Sequence, residues 1–334
     1  MKKRLLWIVS ICTLVLLAAC GGDEGASGQK KIDTITFADA GWDSIRVHNS
    51  IASTIIENGY DYNTDVTTGS TPATVQGVRQ GDINVNMEMW VDNIKEVYTE
   101  AIKAGDFEEV SVNFDDNKQG LWVPTYVIEG DKERGIEPIA PDLKTVEDLK
   151  KYPDVFQDPE KPSKGRIIGA PSGWAVGEIL ATKVETYGLE EKFNYFRPGS
   201  DSAIVTSLAD AYESGEPWVG YYWSPTWVTS LYDMTLLDEP EYNQEQWEKN
   251  RGTEFPPNKV TIVVHKDMPD QAPEVVDFLS NYETSSKLTG EALKYMKEND
   301  ASADEAALWW LKENKELWTG WVSEDVAKKV EEAL

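Results

Sequence analysis

One pattern occurs twice in this chain, and it restricts the fold more than any other feature of the sequence. Ile35-Thr36-Phe37-Ala38-Asp39-Ala40-Gly41-Trp42-Asp43-Ser44 is an apolar run, then a loop of small residues ending in Gly-Trp, then the start of an amphipathic stretch. Arg166-Ile167-Ile168-Gly169-Ala170-Pro171-Ser172-Gly173-Trp174-Ala175-Val176 repeats it, with an amphipathic run from Ile179 to Tyr187 behind. Each copy reads as strand, tight loop and helix. Each is followed by a turn glycine and a strand ending in Trp, from Gly81 to Trp90 and from Gly215 to Trp223. The two tryptophans lie 48 positions apart in the first copy and 49 in the second. Repeated β-α-β order predicts an α/β fold of two similar lobes with largely parallel sheets. Ligands bind such sheets at the carboxyl ends of their strands, where both tryptophan pairs stand.

The rest of the chain fits around these units. Asp43 or Ser44 is the expected cap of the first helix, Gly59 its expected stop, and Ser172 the expected cap of the helix after Trp174. Two apolar runs, Leu121 to Ile128 and Lys259 to His265, are expected to cross between lobes. This places residues 32–121 and 260–334 in the first lobe and 122–259 in the second. The stretch from Ala272 onward has helical periodicity and is expected to complete the first lobe. Two crossing strands make a hinge.

The first twenty residues read as an address. Met1-Lys2-Lys3-Arg4 is basic, Leu5 to Ala19 is apolar but short for a membrane span, and Leu17-Ala18-Ala19-Cys20 looks like the lipobox of a bacterial lipoprotein. Residues 1–20 are therefore expected to be a lipoprotein signal with Cys20 the site of lipid attachment, and residues 21–31 a polar tether. The folded part is then extracytoplasmic and held at the cell membrane by acyl chains alone. Cys12 leaves with the signal, so no internal disulfide, thiol chemistry or Cys-based metal site is expected. The formal charge of −27 disfavours nucleic acid and anionic headgroups as partners.

Thirteen tryptophans and fourteen tyrosines need burial or a ligand. Trp174 stands at a helix N-terminus, where backbone N–H groups favour an anion while the ring face favours a cation. One loop can thus hold both ends of a small zwitterion. Trp42, Trp90 and Trp223 are its matched companions. At ~2 kcal/mol per desolvated cation–π contact, three or four faces approach the roughly −8.2 kcal/mol of a micromolar site. Trp122 is a candidate fifth wall, whereas Trp309, Trp310, Trp318 and Trp321 read as packing, as does His48. Asp39, Asp43 and Glu88 fall near the cleft, and paired acids beside aromatics would also suit a hydrolase. No nucleophile elbow, phosphate-binding loop or zinc motif occurs, so neither cofactor nor metal is expected.

At Met87-Glu88-Met89-Trp90, Pro171-Ser172-Gly173-Trp174 and Tyr222-Trp223-Ser224-Pro225-Thr226-Trp227, the chain resembles the glycine betaine/proline betaine binding proteins of ABC importers. The resemblance runs from about residue 32 to the end. It implies a bilobed type II substrate-binding fold, no enzymatic activity, and a tryptophan box for the quaternary ammonium at Trp90, Trp174 and Trp223. It also implies carboxylate binding by the backbone N–H groups of Ala175 and Val176, with Trp42 and Trp122 at positions where choline-binding members use aromatics. Two departures stand out. Many relatives have Cys just after the second tryptophan, where this chain has Ala175-Val176. Some have a carboxylate-binding His at the place of Thr226. The implied partners are glycine betaine or a similar small zwitterion or cation, and a permease with a cytoplasmic ATPase. A choline or carnitine receptor, a sugar receptor, and a hydrolase using Asp43 or Glu88 are the alternatives.

Overall fold

A computed structural model describes residues 32–256 and 258–334; the signal, Cys20 and the tether lie outside the described residues. Among the described residues ten strands alternate with helices: β1 (Thr34–Asp39), β2 (Asn63–Thr68), β3 (Val85–Trp90), β4 (Phe107–Phe114), β5 (Lys118–Pro124), β6 (Gly165–Ile168), β7 (Phe193–Phe196), β8 (Gly220–Ser224), β9 (Met234–Leu236) and β10 (Val260–His265). They form two five-stranded sheets, ordered β2-β1-β3-β10-β4 and β7-β6-β8-β5-β9.

The sheets share one plan. In the first, β1 runs parallel to β2, with Thr34 opposite Asn63 and Asp39 opposite Thr68, and parallel to β3 through Phe37 and Val85. In the second, β6 runs parallel to β7 and β8. The fourth strand of each is antiparallel and arrives by the crossover: β10 pairs with β3 and β4, and β5 pairs with β8 and β9. Each sheet is therefore mixed, because a chain that leaves a parallel β-α-β unit and returns without a crossover helix must enter antiparallel. The two connections lie side by side, with the Asn117 Nδ2 donating to the Asn258 carbonyl at 2.6 Å.

Helix Asp43–Tyr60 covers the first sheet with Ile45, His48, Ile51, Ala52, Ile55 and Ile56, all buried, a face set by the 3.6-residue repeat. Its ends differ from expectation. Trp42 occupies the cap position without its side chain capping the helix, and the helix stops at Asp61, whose φ of 60° is left-handed. Asp43 is instead turned to Arg46, 3.1 Å away, and Ser44 to Glu88. Gly59 lies inside the helix because the last helix, Glu324–Ala333, packs on it. A Cβ there would come within 2.7 Å of Val326.

The C-terminal helices Ser286–Asn299, Ala303–Glu313 and Glu324–Ala333 all pack on helix Asp43–Tyr60. Trp310, Trp318 and Trp321 are buried there; the indoles of Trp310 and Trp318 donate to the Leu288 and Leu311 carbonyls at 3.0 and 2.7 Å. Trp309 stacks on Tyr295 with centroids 4.5 Å apart. Among the described residues no helix is long and apolar enough to cross a membrane.

Candidate functional site

The carboxyl ends of β1, β3 and β8 and the loop after β6 converge on one cavity of about 520 Å³, counting its open mouth. The first lobe contributes Trp42, Glu88 and Trp90; the second contributes Trp174, Ala175, Val176 and Trp223. This is the place the strand-end rule gives. Trp174 stands edge-on between its neighbours, 5.7 Å from Trp42 at 88° and 5.0 Å from Trp223 at 83°. Edge-to-face contact of this kind is the favoured aromatic geometry. Trp223 is backed by Tyr221, stacked at 5.9 Å. The lobes meet at the mouth, where the Thr71 N–H donates to the Gly173 carbonyl at 3.1 Å, and lower down through Asn93 and Gln119.

Glu88 organises the first-lobe wall. Its Oε2 accepts from the Trp42 indole at 2.6 Å, the Ser44 hydroxyl at 3.1 Å and the Trp90 indole at 3.3 Å. With its N–H tied back, neither ring is free to rotate about its long axis. Burial pushes the carboxyl up to about 7, and the three donors hold it from rising further. Its other oxygen is buried without a hydrogen-bond partner among the described residues; the His48 Nε2 is 3.6 Å away. His48 meets the Tyr282 hydroxyl at 2.8 Å and that of Thr289 at 3.2 Å, and burial drives it down to about 3. It is a neutral packing residue.

Helix Val176–Thr186 begins after the Trp174 loop with Ala175 in the cap position and no side-chain cap. Ser172 does not cap it, because a turn closed by the Trp174 N–H on the Pro171 carbonyl intervenes. The Ala175 and Val176 N–H groups have no acceptor among the described residues. Uncapped N–H groups at a helix start carry the positive end of its dipole. One cavity thus combines indole faces, a buried carboxylate and two free backbone donors.

Of the residues expected from the sequence to bind ligand, six come together here: Trp42, Trp90, Trp174, Trp223, Ala175 and Val176. Three do not. Trp122 is buried in the second lobe, its indole donating to the Tyr222 carbonyl at 3.0 Å, so its ring serves the sheet. Thr226 caps the short helix Trp227–Leu231, accepting from the Thr229 N–H at 3.1 Å. Thr226 and Asp43 line a separate small cavity behind Trp223, together with Asp201. The sequence reading missed Glu88 as the acceptor for both first-lobe rings, and Thr71 and Asn93 as lining residues. Period-two alternation in β3 already puts Asn86, Glu88 and Trp90 on one side, which was the available signal for Glu88.

Two α/β lobes of this topology, with a cleft at their strand ends, define a type II binding-protein fold. Residues 33–313 match the substrate-binding domain of the ABC-type glycine betaine transport system, and the chain belongs to that family. The trimethylamine N-oxide-binding protein of Pelagibacter ubique (strain HTCC1062) is 22% identical over 324 residues, covering 95% of this chain and 98% of that protein. The glycine betaine/L-proline-binding protein of Borrelia burgdorferi superposes with a TM-score of 0.72 at 19% identity, covering 89% of this chain and 99% of the other. A choline-binding protein of an ABC transporter, in complex with choline, also gives 0.72 at 22% identity, covering 90% and 98%.

Proposed function

We propose that this chain is the receptor of an ABC importer for a small solute with a methylated ammonium head, glycine betaine or a near relative. The observation that carries it is the convergence of Trp42, Trp90, Trp174 and Trp223 from two lobes on one cavity that also holds the free N–H groups of Ala175 and Val176. A trimethylated nitrogen has no N–H to donate, so aromatic faces bind it without leaving a polar group unpaired. The backbone donors suit a carboxylate at its other end. The similar proteins are named for trimethylamine N-oxide, glycine betaine and choline, which share that head.

In this reading the two lobes hinge near the paired crossings at Asn117 and Asn258, close on the solute and present it to a permease with a cytoplasmic ATPase. Cys20 carries the lipid that holds the receptor outside the cell membrane, with 21–31 as its tether. No covalent chemistry is required. Glu88 is committed to two indoles and Asp43 to Arg46 outside the cavity, so they do not flank a bound solute as a hydrolase pair would. Tryptophan fluorescence titrated with glycine betaine, choline and maltose tests the proposal. Saturable change with a methylammonium compound and none with maltose is expected; a response to maltose alone would overturn it.

A further inference from the structure

Glu88 is a carboxylate with one oxygen engaged and one free. Oε2 collects the donors of Trp42, Ser44 and Trp90, while Oε1 is buried with no partner among the described residues. Such a group acts on a ligand in two ways. It fixes the rings, and it places a full charge beside a cavity walled by indole rings, where charge acts more strongly than in bulk water. A net cation gains the whole of that attraction. A zwitterion brings its own carboxylate into the same cavity and keeps only the difference. We infer that Glu88 sets the choice between net-cationic and zwitterionic methylammonium ligands, favouring the cation when ionised and the zwitterion when protonated. This rests on the methylammonium reading above.

The groups packed against Glu88 leave it to titrate alone. His48, from helix Asp43–Tyr60, is driven down to about 3 by burial, and Tyr282 is raised far above the neutral range by burial. Among the described residues no Lys or Arg pairs with it. Burial puts its own titration at about 7. Asp201, in the small cavity behind Trp223, is also pushed up to about 7, by burial and by Asp43, so a variant is needed to separate the two.

The test is calorimetric titration of the full chain with choline and with glycine betaine at several pH values between about 5.5 and 8.5, spanning the carboxyl's titration. Below pH 7, the Kd for choline is expected to rise up to about tenfold per pH unit, as linkage to one proton requires. The Kd for glycine betaine is expected to rise by no more than about threefold per pH unit, and the difference between ligands to vanish in Glu88→Gln. Equal slopes for the two ligands overturn the inference. A choline slope that survives in Glu88→Gln assigns the proton to another group, Asp201 first, and overturns it as well. If that variant does not fold, the wild-type series decides through the comparison of the two ligands. Wild-type protein that binds neither ligand at any pH overturns the methylammonium reading itself, a result distinct from equal slopes.

Discussion

The two lobes carry the same sheet plan and the same tryptophan spacing, yet they hold their rings by different means. In the first lobe, Trp42 and Trp90 both donate to the Glu88 carboxylate, so two walls share one buried polar anchor. In the second lobe, the indole N–H groups of Trp174 and Trp223 have no acceptor among the described residues. Trp174 is held by edge contacts with Trp42 and Trp223, and Trp223 by its stack on Tyr221. Hydrogen bonds are directional and ring contacts are shallow. The first lobe therefore fixes its two rings by directional bonds, and the second holds its pair by the more adjustable contacts of ring on ring.

The largest expected effect breaks the anchor itself. The folded state holds Glu88 protonated up to about pH 7, whereas the unfolded chain releases that proton near 4.5. The contribution to stability is therefore full below pH 4.5 and is lost as pH rises through 7. Glu88→Gln removes this loss. It is expected to be more stable than wild type at pH 8 by about 3 kcal/mol, since each pH unit between the two titrations is worth about 1.36 kcal/mol. Denaturation midpoints at pH 4.5 and pH 8 check it: an unchanged pH profile would mean that the buried carboxyl does not titrate as described.

Next comes the adjustable wall. Trp174→Ala is expected to weaken ligand binding about thirtyfold, the equivalent of one desolvated cation–π contact of ~2 kcal/mol. The melting temperature should move little, because the ring is only partly buried; calorimetry and a thermal melt together separate the two effects. A pair of indole-to-phenyl changes then compares the lobes directly. Trp42→Phe strips a donor from a buried carboxylate and should cost about 1–3 kcal/mol of stability at pH 8. Trp223→Phe loses no hydrogen bond and should cost less than half as much; equal losses in urea titration would erase the contrast between the lobes. The smallest effect is expected at Thr226→Ala, which removes a helix cap worth about 1 kcal/mol. Ligand affinity should stay within about twofold, and a larger loss would return Thr226 to the site.

Residues with a local signature were legible. The Gly-Trp loops, the alternation of β3 and the matched spacing suffice to place all four tryptophans at the carboxyl ends of strands: Trp90 and Trp223 by position within a strand, Trp42 and Trp174 by the short loops that follow β1 and β6. The free N–H groups of Ala175 and Val176 follow likewise from a strand-loop-helix order. What failed was local detail that neighbours override. Gly59 reads as a stop but serves a helix that arrives from the other end of the chain. Thr226 has the same chemistry as a ligand anchor or as a cap, and only the path of Trp227–Leu231 selects the cap. Trp122 has the ring for a cage wall, but the pairing of β5 with β8 puts its N–H on the Tyr222 carbonyl.

The sequence by itself determined the two-lobe plan and the aromatic character of the cleft, because periodicity and turn chemistry act over a few residues and repeat visibly. Tertiary structure alone decided that one carboxylate would serve two rings. Glu88 lies two positions from Trp90, so strand alternation puts it beside that ring, but it lies 46 positions from Trp42, and nothing local brings that second ring to it. Folding of β1 beside β3 buries it, and burial both makes its charge costly and supplies the donors that hold it in place.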